Sequence, residues 1–193
     1  MEERTKRIVA TAVELAEEGG FEAVRMRDVA AHAGVALGTF YKRFRSKEDL
    51  LIAALELESE RLEKRLRQKP PKGSTCLERV IAFFDIATKG FTRKPNLAKA
   101  VLRAVASGDP ELTQKVANFH GSVEGQIVAA LRNGNSDDTA VTELEKQVAF
   151  LLQQVWFAAL VGWSGGIHSR KGVVDAMEVA TKLILAGMEA EAN

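Results

Sequence analysis

The stretch that decides the fold is "RMRDVAAHAGVALGTFYKRFRSKEDL", residues Arg25–Leu50. Its first part predicts a short helix, because apolar residues recur at spacings of three and four: Met26, Val29, Ala30 and Ala33. Gly34 ends that helix, and a second short helix is expected to begin near Ala36. Two short helices joined by a tight glycine turn are typical of a helix-turn-helix.

The second part of the stretch separates an apolar face from a polar one. Phe40 and Phe44 are four residues apart and therefore share a face of the second short helix. The other faces carry a polar, basic and aromatic set: Leu37, Thr39, Tyr41, Lys42 and Arg43. We call Arg25 to Lys47 the basic segment, because its six basic residues and one acid give a local charge of +5, whereas the formal net charge of the 193-residue chain is +1.

A basic helix-turn-helix has a direct use in binding DNA. A helix fits the major groove, and each Lys or Arg can displace a counterion at a phosphate. Tyr41 is expected to be exposed opposite Phe40 and Phe44, where packing explains it poorly and contact with thymine methyl groups or the DNA backbone explains it well. The alternative is a solvated basic face beside an ordinary helical hairpin; we favour DNA.

The rest of the chain predicts an all-α protein of about nine helices, since no segment alternates apolar and polar residues for long. A first helix ends at Gly19-Gly20, before the motif. A long fourth helix, 47–68, is capped by Ser46 and ends before Pro70-Pro71. Later helices are predicted at Thr75–Phe91, Pro95–Ala106, Pro110–Arg132, Thr139–Trp163 and Lys171–Glu189.

Several classes of protein are disfavoured by the sequence. A single cysteine permits no internal disulfide, and no apolar run is long enough to span a membrane. The N-terminus lacks a secretory signal pattern, so a cytoplasmic location is expected. An enzyme is the rival class, but His32, His120 and His168 are scattered, and the chain has no metal-binding motif or phosphate-binding glycine loop, so we expect neither catalysis nor a cofactor.

The same stretch closely resembles the DNA-binding signature of TetR-family transcriptional regulators. Its Arg-Asp-Val-Ala, Ala-Gly-Val, Gly-Thr-Phe-Tyr and Ser-Lys-Glu-Asp-Leu elements occur in the family's order and spacing. The resemblance implies that the second short helix of the motif is the recognition helix, which contacts DNA bases, and that basic residues of the motif bind phosphates. The implied set is Arg25, Arg27, Leu37, Gly38, Thr39, Tyr41, Lys42, Arg43 and Lys47. Lys47, like Tyr41, is expected to be exposed.

Two positions depart from the family's pattern. Arg25 stands where the family often has a threonine that caps the second helix, and Ala36 replaces the frequent serine cap of the third. A lost cap typically costs about 1 kcal/mol. Further along, "QQVWFAALVGW", 153–163, is similar to the branch of the family that controls steroid catabolism in actinobacteria.

The resemblance also implies two domains: a three-helix DNA-binding domain at 1–50, connected by helix 47–68, and a helical bundle at 51–193 for effector binding and dimerisation. Apolar stripes on the last two helices are candidates for an interface with a second copy: Leu151, Leu152, Val155, Ala159, Ala180, Leu183 and Ile184. Periodicity alone also permits these stripes to face the core of their own chain.

A small, largely apolar effector is expected to bind among aromatic and amide side chains of the second domain. The candidates are Phe83, Phe84, Phe91, Phe119, Gln126, Gln153 and Trp156, with His120 and Gln154 as further polar groups. Each of these taken singly is more often plain core or surface. The sequence therefore predicts a ligand-released repressor that binds a palindromic operator as a homodimer; the alternative is a nucleoid-associated protein that needs no ligand.

Overall fold

The computed structural model describes residues 3–132 and 140–191, with the backbone alone for 189–191. All regular secondary structure in these residues is helical, which confirms the all-α prediction. The helices are α1 Glu3–Ala23, α2 Met26–His32, α3 Leu37–Tyr41, α4 Lys47–Gln68, α5 Cys76–Phe91, α6 Pro95–Val105, α7 Thr113–Leu131, α8 Glu143–Ser164 and α9 Arg170–Glu191. None of the described helices is long and apolar enough to cross a membrane.

The chain forms two compact units. The first contains residues 1–60 and 91–117, and the second contains residues 61–90 and 118–193. Helices α4 and α7 therefore each contribute residues to both units. These units reflect which residues of the chain lie close together and do not separate DNA binding from effector binding. The predicted division into a DNA-binding domain at 1–50 and an effector-binding domain at 51–193 therefore stays a prediction.

The first unit is built around α1, which packs against α6 and α2. The core face of α1 includes Ile8, Val9, Ala12 and Ala16, each at most 2% exposed. Regular helical geometry breaks at Gly19 and Gly20, and Gly20 has φ of +67°, a conformation that L side chains rarely adopt. The glycine signal is thereby confirmed, and the chain beyond it brings Val24 into the core.

The turn between α2 and α3 depends on Gly34, whose φ is +64°. Its N–H donates to the Ala31 carbonyl at 3.1 Å, and the Val35 N–H donates to the Ala30 carbonyl at 2.9 Å. These bonds satisfy carbonyls that the end of α2 would leave free. The helix-turn-helix is confirmed, and neither Arg25 nor Ala36 makes a side-chain cap bond.

The start of α4 is fixed by the predicted Ser46 cap. The Asp49 N–H donates to Ser46 Oγ at 3.1 Å, and in return the Asp49 carboxylate accepts the Arg45 N–H at 3.0 Å. Asp49 is only 4% exposed, and it also accepts a hydrogen bond from the Lys115 ammonium. A buried carboxylate is thus bonded to the backbone just before α4 and to the first turn of α7.

Two predicted helix starts differ from the structure by more than one residue. The segment predicted as Pro110–Arg132 begins with a 3₁₀ turn, Pro110–Leu112, because Asp109 accepts the Glu111 N–H at 2.9 Å and tightens the chain there. The helix predicted from Thr139 begins at Glu143; Thr139 itself lies outside the described residues. Thr142 ends the extended backbone through a capping box with Glu145.

The second unit contains an ion pair between the end of α7 and the start of α8. Arg132 donates to both carboxylate oxygens of Glu145 at 2.6 Å, with Nε bonded to Oε1 and a terminal nitrogen to Oε2. Both side chains are less than a fifth exposed. The Arg132 hydrogen bonds, with those from Thr142, lower the pKa of Glu145 from 4.5 to about 2.

Glu145→Gln should lower the melting temperature at pH 7 by about 3–8 °C, because the bidentate pair contributes roughly 1–3 kcal/mol in a protein of this size. A depressed carboxyl pKa stabilises the fold above the unfolded pKa of 4.5, and this stabilisation is lost as pH falls towards about 2. The difference in melting temperature between variant and wild type should therefore shrink below pH 4.5, measured by circular dichroism at fixed protein concentration.

Glu143→Gln is the matched control, because Glu143 is 73% exposed and pairs with Lys146 on the surface at 3.4 Å. Its melting temperature should follow that of the wild type at each pH. An equal effect of the two substitutions would contradict the special contribution of the Arg132–Glu145 pair.

Candidate DNA-binding surface and effector region

Helix α3 is held in place by two buried phenylalanines. Phe40 is 0% exposed and Phe44 2%, and their ring centroids are 5.8 Å apart. The Phe44 N–H donates to the Phe40 carbonyl at 3.0 Å, which continues helical bonding just past the end of α3. The apolar face predicted from the spacing of these residues is confirmed.

The residues predicted to bind DNA lie outside this core. Tyr41 is 46% exposed and meets the edge of Phe40 with its ring, at 5.9 Å between centroids. Eight of the nine are exposed, in agreement with the polar outer face expected from the sequence: Arg25, Arg27, Leu37, Gly38, Thr39, Tyr41, Lys42 and Arg43. Their contact with DNA remains a prediction.

Lys47, the ninth, is less exposed than expected. Its side chain is only 25% exposed, because the ammonium lies 4.3 Å from the centroid of the Phe21 ring and 3.4 Å from the Phe21 carbonyl oxygen. Glu22 supplies a carboxylate oxygen at 3.6 Å. The expectation of a freely exposed Lys47 is wrong, since a half-buried aromatic from the end of α1 covers its stem.

Arg103 of α6 shares the same partners. Its guanidinium lies 4.0 Å from the Phe21 ring centroid and donates to Glu22 at 2.7 Å. Hydrogen bonding from Arg103, with the charge of Lys47, lowers the pKa of Glu22. An ionised Glu22 is thus placed between two cations, and this cluster joins α1, α4 and α6 within the first unit.

The other cations of the basic segment fall into two groups. Arg45 donates to Glu111 at 2.9 Å, and both side chains are largely exposed. Within the part of the chain that the structure describes, the remaining four have no carboxylate within 4.0 Å: Arg25, Arg27, Lys42 and Arg43. Those four offer positive charge to solvent without competition from an acid.

Aromatic residues of the predicted effector region form part of the core of the second unit. Phe83 and Phe84 are buried with ring centroids 5.0 Å apart, and Trp156 lies 5.9 Å from Phe84. Trp156 donates its indole N–H to Thr88 Oγ at 2.9 Å, in a bond buried inside the unit. Phe119 is half-buried, whereas Phe91, also half-buried, belongs to the first unit.

Polar groups lie beside these rings. Buried Gln153 is hydrogen-bonded to His120 Nδ1, and its side-chain oxygen accepts from Gln154 at 3.0 Å. Burial lowers the pKa of His120 below its ordinary value of 6.5. Gln126 Oε1 is also buried and, within the described residues, has no hydrogen-bond partner.

Sequence reasoning missed two residues of this region, Thr88 and Phe157. Phe157 lies 6.1 Å from His120 between ring centroids, and Thr88 accepts the Trp156 indole N–H. Thr88 is one helical turn beyond Phe84 on an apolar face, which is a signal that the sequence did contain. Among the described residues, no three His, Cys, Asp or Glu side chains are grouped as a metal site.

The predicted dimer stripes divide between surface and core. Leu151, Val155 and Leu183 are exposed by 49%, 36% and 69%, while Ala180 and Ile184 are half-buried. Leu152 and Ala159 are already buried within their own chain, and the assignment of the stripes to a dimer interface stays a prediction. Other large apolar residues of these helices are also exposed, among them Leu144 on α8 and Val179 on α9, and α8 and α9 pack against each other.

Comparison with known proteins assigns the chain to a family. The profile described as "Bacterial regulatory proteins, tetR family" matches residues 8–54, and that of the "Tetracyclin repressor-like, C-terminal domain" matches 73–184. The HTH-type transcriptional repressor KstR of Rhodococcus jostii strain RHA1 is 36% identical over 183 residues, covering 95% of this chain and 83% of that relative. KstR of Mycobacterium tuberculosis is 29% identical over 97% of this chain and 83% of its own length.

Solved structures share the fold. A TetR transcriptional regulator from Rhodococcus sp. RHA1 superposes with a TM-score of 0.83 at 25% identity, covering 94% of this chain and 95% of that one. FadR of Thermus thermophilus, solved with lauroyl-CoA, has a TM-score of 0.70 at 20% identity, covering 95% and 94%. The two family profiles match consecutive parts of the chain, and the first of them covers the helix-turn-helix. The chain therefore belongs to the TetR family of bacterial transcriptional regulators.

Proposed function

We propose that the protein is a repressor that binds a palindromic operator as a homodimer and releases it when a small, largely apolar effector binds. The observation that carries the DNA-binding part is the exposed polar and aromatic face of α3, opposite the buried Phe40 and Phe44. The relatives named KstR are transcriptional repressors, which favours repression. No observation favours the alternative of a ligand-independent packaging protein.

In this proposal α3 enters the major groove. Thr39 and Tyr41 contact base edges or thymine methyl groups, and Leu37 and Gly38 bring the start of the helix close to the bases. Arg25, Lys42 and Arg43 bind phosphates, and Arg27 reaches a base or a phosphate. Lys47 presents its ammonium from a fixed position over Phe21, which reduces the entropy lost when it binds a phosphate.

A dimer fits the remaining exposed apolar surface. Leu151 and Val155 on α8, with Val179 and Leu183 on α9, are large apolar residues left exposed by the fold of one chain. Packing these two helices against the same helices of a second copy would bury them in a four-helix interface. Two α3 helices related by a twofold axis then read a palindrome.

The effector is proposed to bind among the aromatic residues of the second unit. Gln126 Oε1 is a buried acceptor and the His120 ring adds a second polar group, so a mostly apolar molecule with a few polar atoms suits the region. Helix α4 contributes to both units, so a shift of α4 on effector binding would change the DNA-binding unit. By linkage, effector and DNA then weaken each other's binding equally.

Acyl-CoA thioesters are the first effector probes, because lauroyl-CoA and stearoyl-CoA are bound in two solved proteins of this fold and their acyl chains supply the apolar part that the region suits. A saturating thioester that binds the protein and leaves its affinity for DNA unchanged would contradict coupling for this ligand class.

Tyr41→Ala should weaken binding to the preferred DNA duplex by about ten- to thirtyfold, since each dimer loses two contacts of roughly 1 kcal/mol. The melting temperature should change by less than about 2 °C, because Tyr41 is an exposed surface residue. Fluorescence anisotropy with a labelled duplex measures the affinity.

Tyr41→Phe is the matched control: it keeps the ring, and retained affinity would assign the contact to the ring rather than to the hydroxyl. If both variants bind as the wild type does, α3 does not read DNA through Tyr41.

Leu183→Glu should convert the dimer to monomer at micromolar concentration, because it places a charge in the proposed apolar interface. Light scattering after size exclusion measures the mass. Ile167→Glu is the control, since Ile167 is 77% exposed in the turn between α8 and α9. A Leu183→Glu protein that keeps the dimer mass would contradict the proposed interface.

A further inference from the structure

Arg45 stands out within the basic segment because two acidic residues hold it in different ways. Its backbone N–H donates to the buried Asp49 carboxylate at 3.0 Å, while its guanidinium donates to Glu111 at 2.9 Å. Asp49 is in turn bonded to Lys115, three residues beyond the 3₁₀ turn that contains Glu111. The backbone of Arg45 is therefore fixed by a buried group, whereas its side chain is held only by a surface pair.

The surface pair is weak enough to exchange. The Arg45 and Glu111 side chains are 76% and 62% exposed, and an exposed ion pair contributes only about 0–1 kcal/mol. A DNA phosphate is an equally good partner for a guanidinium, since both carboxylate and phosphate oxygens accept its paired N–H groups. Glu111 thus occupies one of the N–H donors that a phosphate would use.

Arg45 is also close enough to the candidate reading helix. It is four positions after Tyr41 in the chain, so the two Cα atoms are at most about 14 Å apart even in an extended conformation. The major groove is about 12 Å wide and is bordered by phosphates on both sides. A helix seated in the groove at Tyr41 therefore has phosphates within reach of the long Arg45 side chain.

We infer that Arg45 is a further phosphate-binding residue of the DNA-binding surface, and that Glu111 holds its guanidinium until DNA displaces the carboxylate. The inference rests on the proposed function, because it needs α3 to bind DNA. Glu111 is then a mild internal competitor of DNA. Removing its charge frees Arg45, and removing Arg45 deletes one phosphate contact per protomer.

The test uses the whole chain and a duplex of random sequence, titrated over a series of salt concentrations, because phosphate contacts do not depend on base sequence. Arg45→Gln should weaken binding at least about threefold and reduce the slope of log affinity against log salt by about 0.9 per protomer. Glu111→Gln should strengthen binding by about two- to fivefold per protomer and keep the wild-type slope. Both substitutions are at exposed side chains, so melting temperatures should stay close to that of the wild type.

The double variant Arg45→Gln with Glu111→Gln separates exchange from a general effect of charge. The gain from Glu111→Gln should vanish when Arg45 is absent. Glu143→Gln is the charge-matched control: its pair with Lys146 is similarly exposed, lies in the second unit, and its loss should leave DNA affinity unchanged.

Three results would overturn the inference. Glu111→Gln could strengthen binding equally with and without Arg45, or Arg45→Gln could leave the salt slope unchanged, or Glu143→Gln could strengthen binding as much as Glu111→Gln does. A wild-type protein that binds no duplex would overturn the proposed function and this inference together. Wild-type binding with unresponsive variants would overturn the inference alone.

Discussion

The burial of Phe40 is the constraint on which the DNA-binding unit depends. Helix α3 has five residues, far fewer than a helix needs for stability in water, so its position comes from packing. Phe40 and Phe44 enter the core on one side, and Gly34 turns the chain so that they can do so. The same placement leaves Thr39, Tyr41 and Lys42 directed away from that core, and the candidate reading surface is a consequence of the packing.

Charge in the first unit is arranged in two ways around this helix. Arg25, Arg27, Lys42 and Arg43 are exposed and, among the described residues, have no acidic neighbour within ion-pair distance. Lys47 and Arg45 instead meet acids from distant parts of the chain, Glu22 and Glu111. A protein with a net charge near zero can therefore present a locally positive surface. Its own carboxylates neutralise part of that positive charge.

Local signals in the sequence predicted much of this architecture. The Phe40 and Phe44 spacing, Gly34, the Ser46 cap and the 47–68 helix all depend on neighbours within a few residues, and each is present in the structure. The burial of Lys47 could not be predicted in this way, because Phe21 and Glu22 lie about 25 positions earlier in the chain.

On α8, Leu151 and Leu152 are consecutive, and periodicity placed both in one stripe although the first is exposed and the second buried. The start of α8 is set by Thr142 and its reciprocal bonds with Glu145, a capping box that lies beyond the predicted start at Thr139.

The central claim is that α3 reads a specific DNA sequence as part of a symmetric dimer. Selection of binding sites from random duplex DNA with the purified protein, followed by titration of the enriched and a scrambled duplex at near-physiological salt, tests it most directly. The account predicts a palindrome with half-sites about one helical turn apart, bound at least about 4 kcal/mol more tightly than the scrambled duplex. Enrichment of no sequence, with equal binding of both duplexes, would contradict specific regulation and favour a packaging role for the same fold.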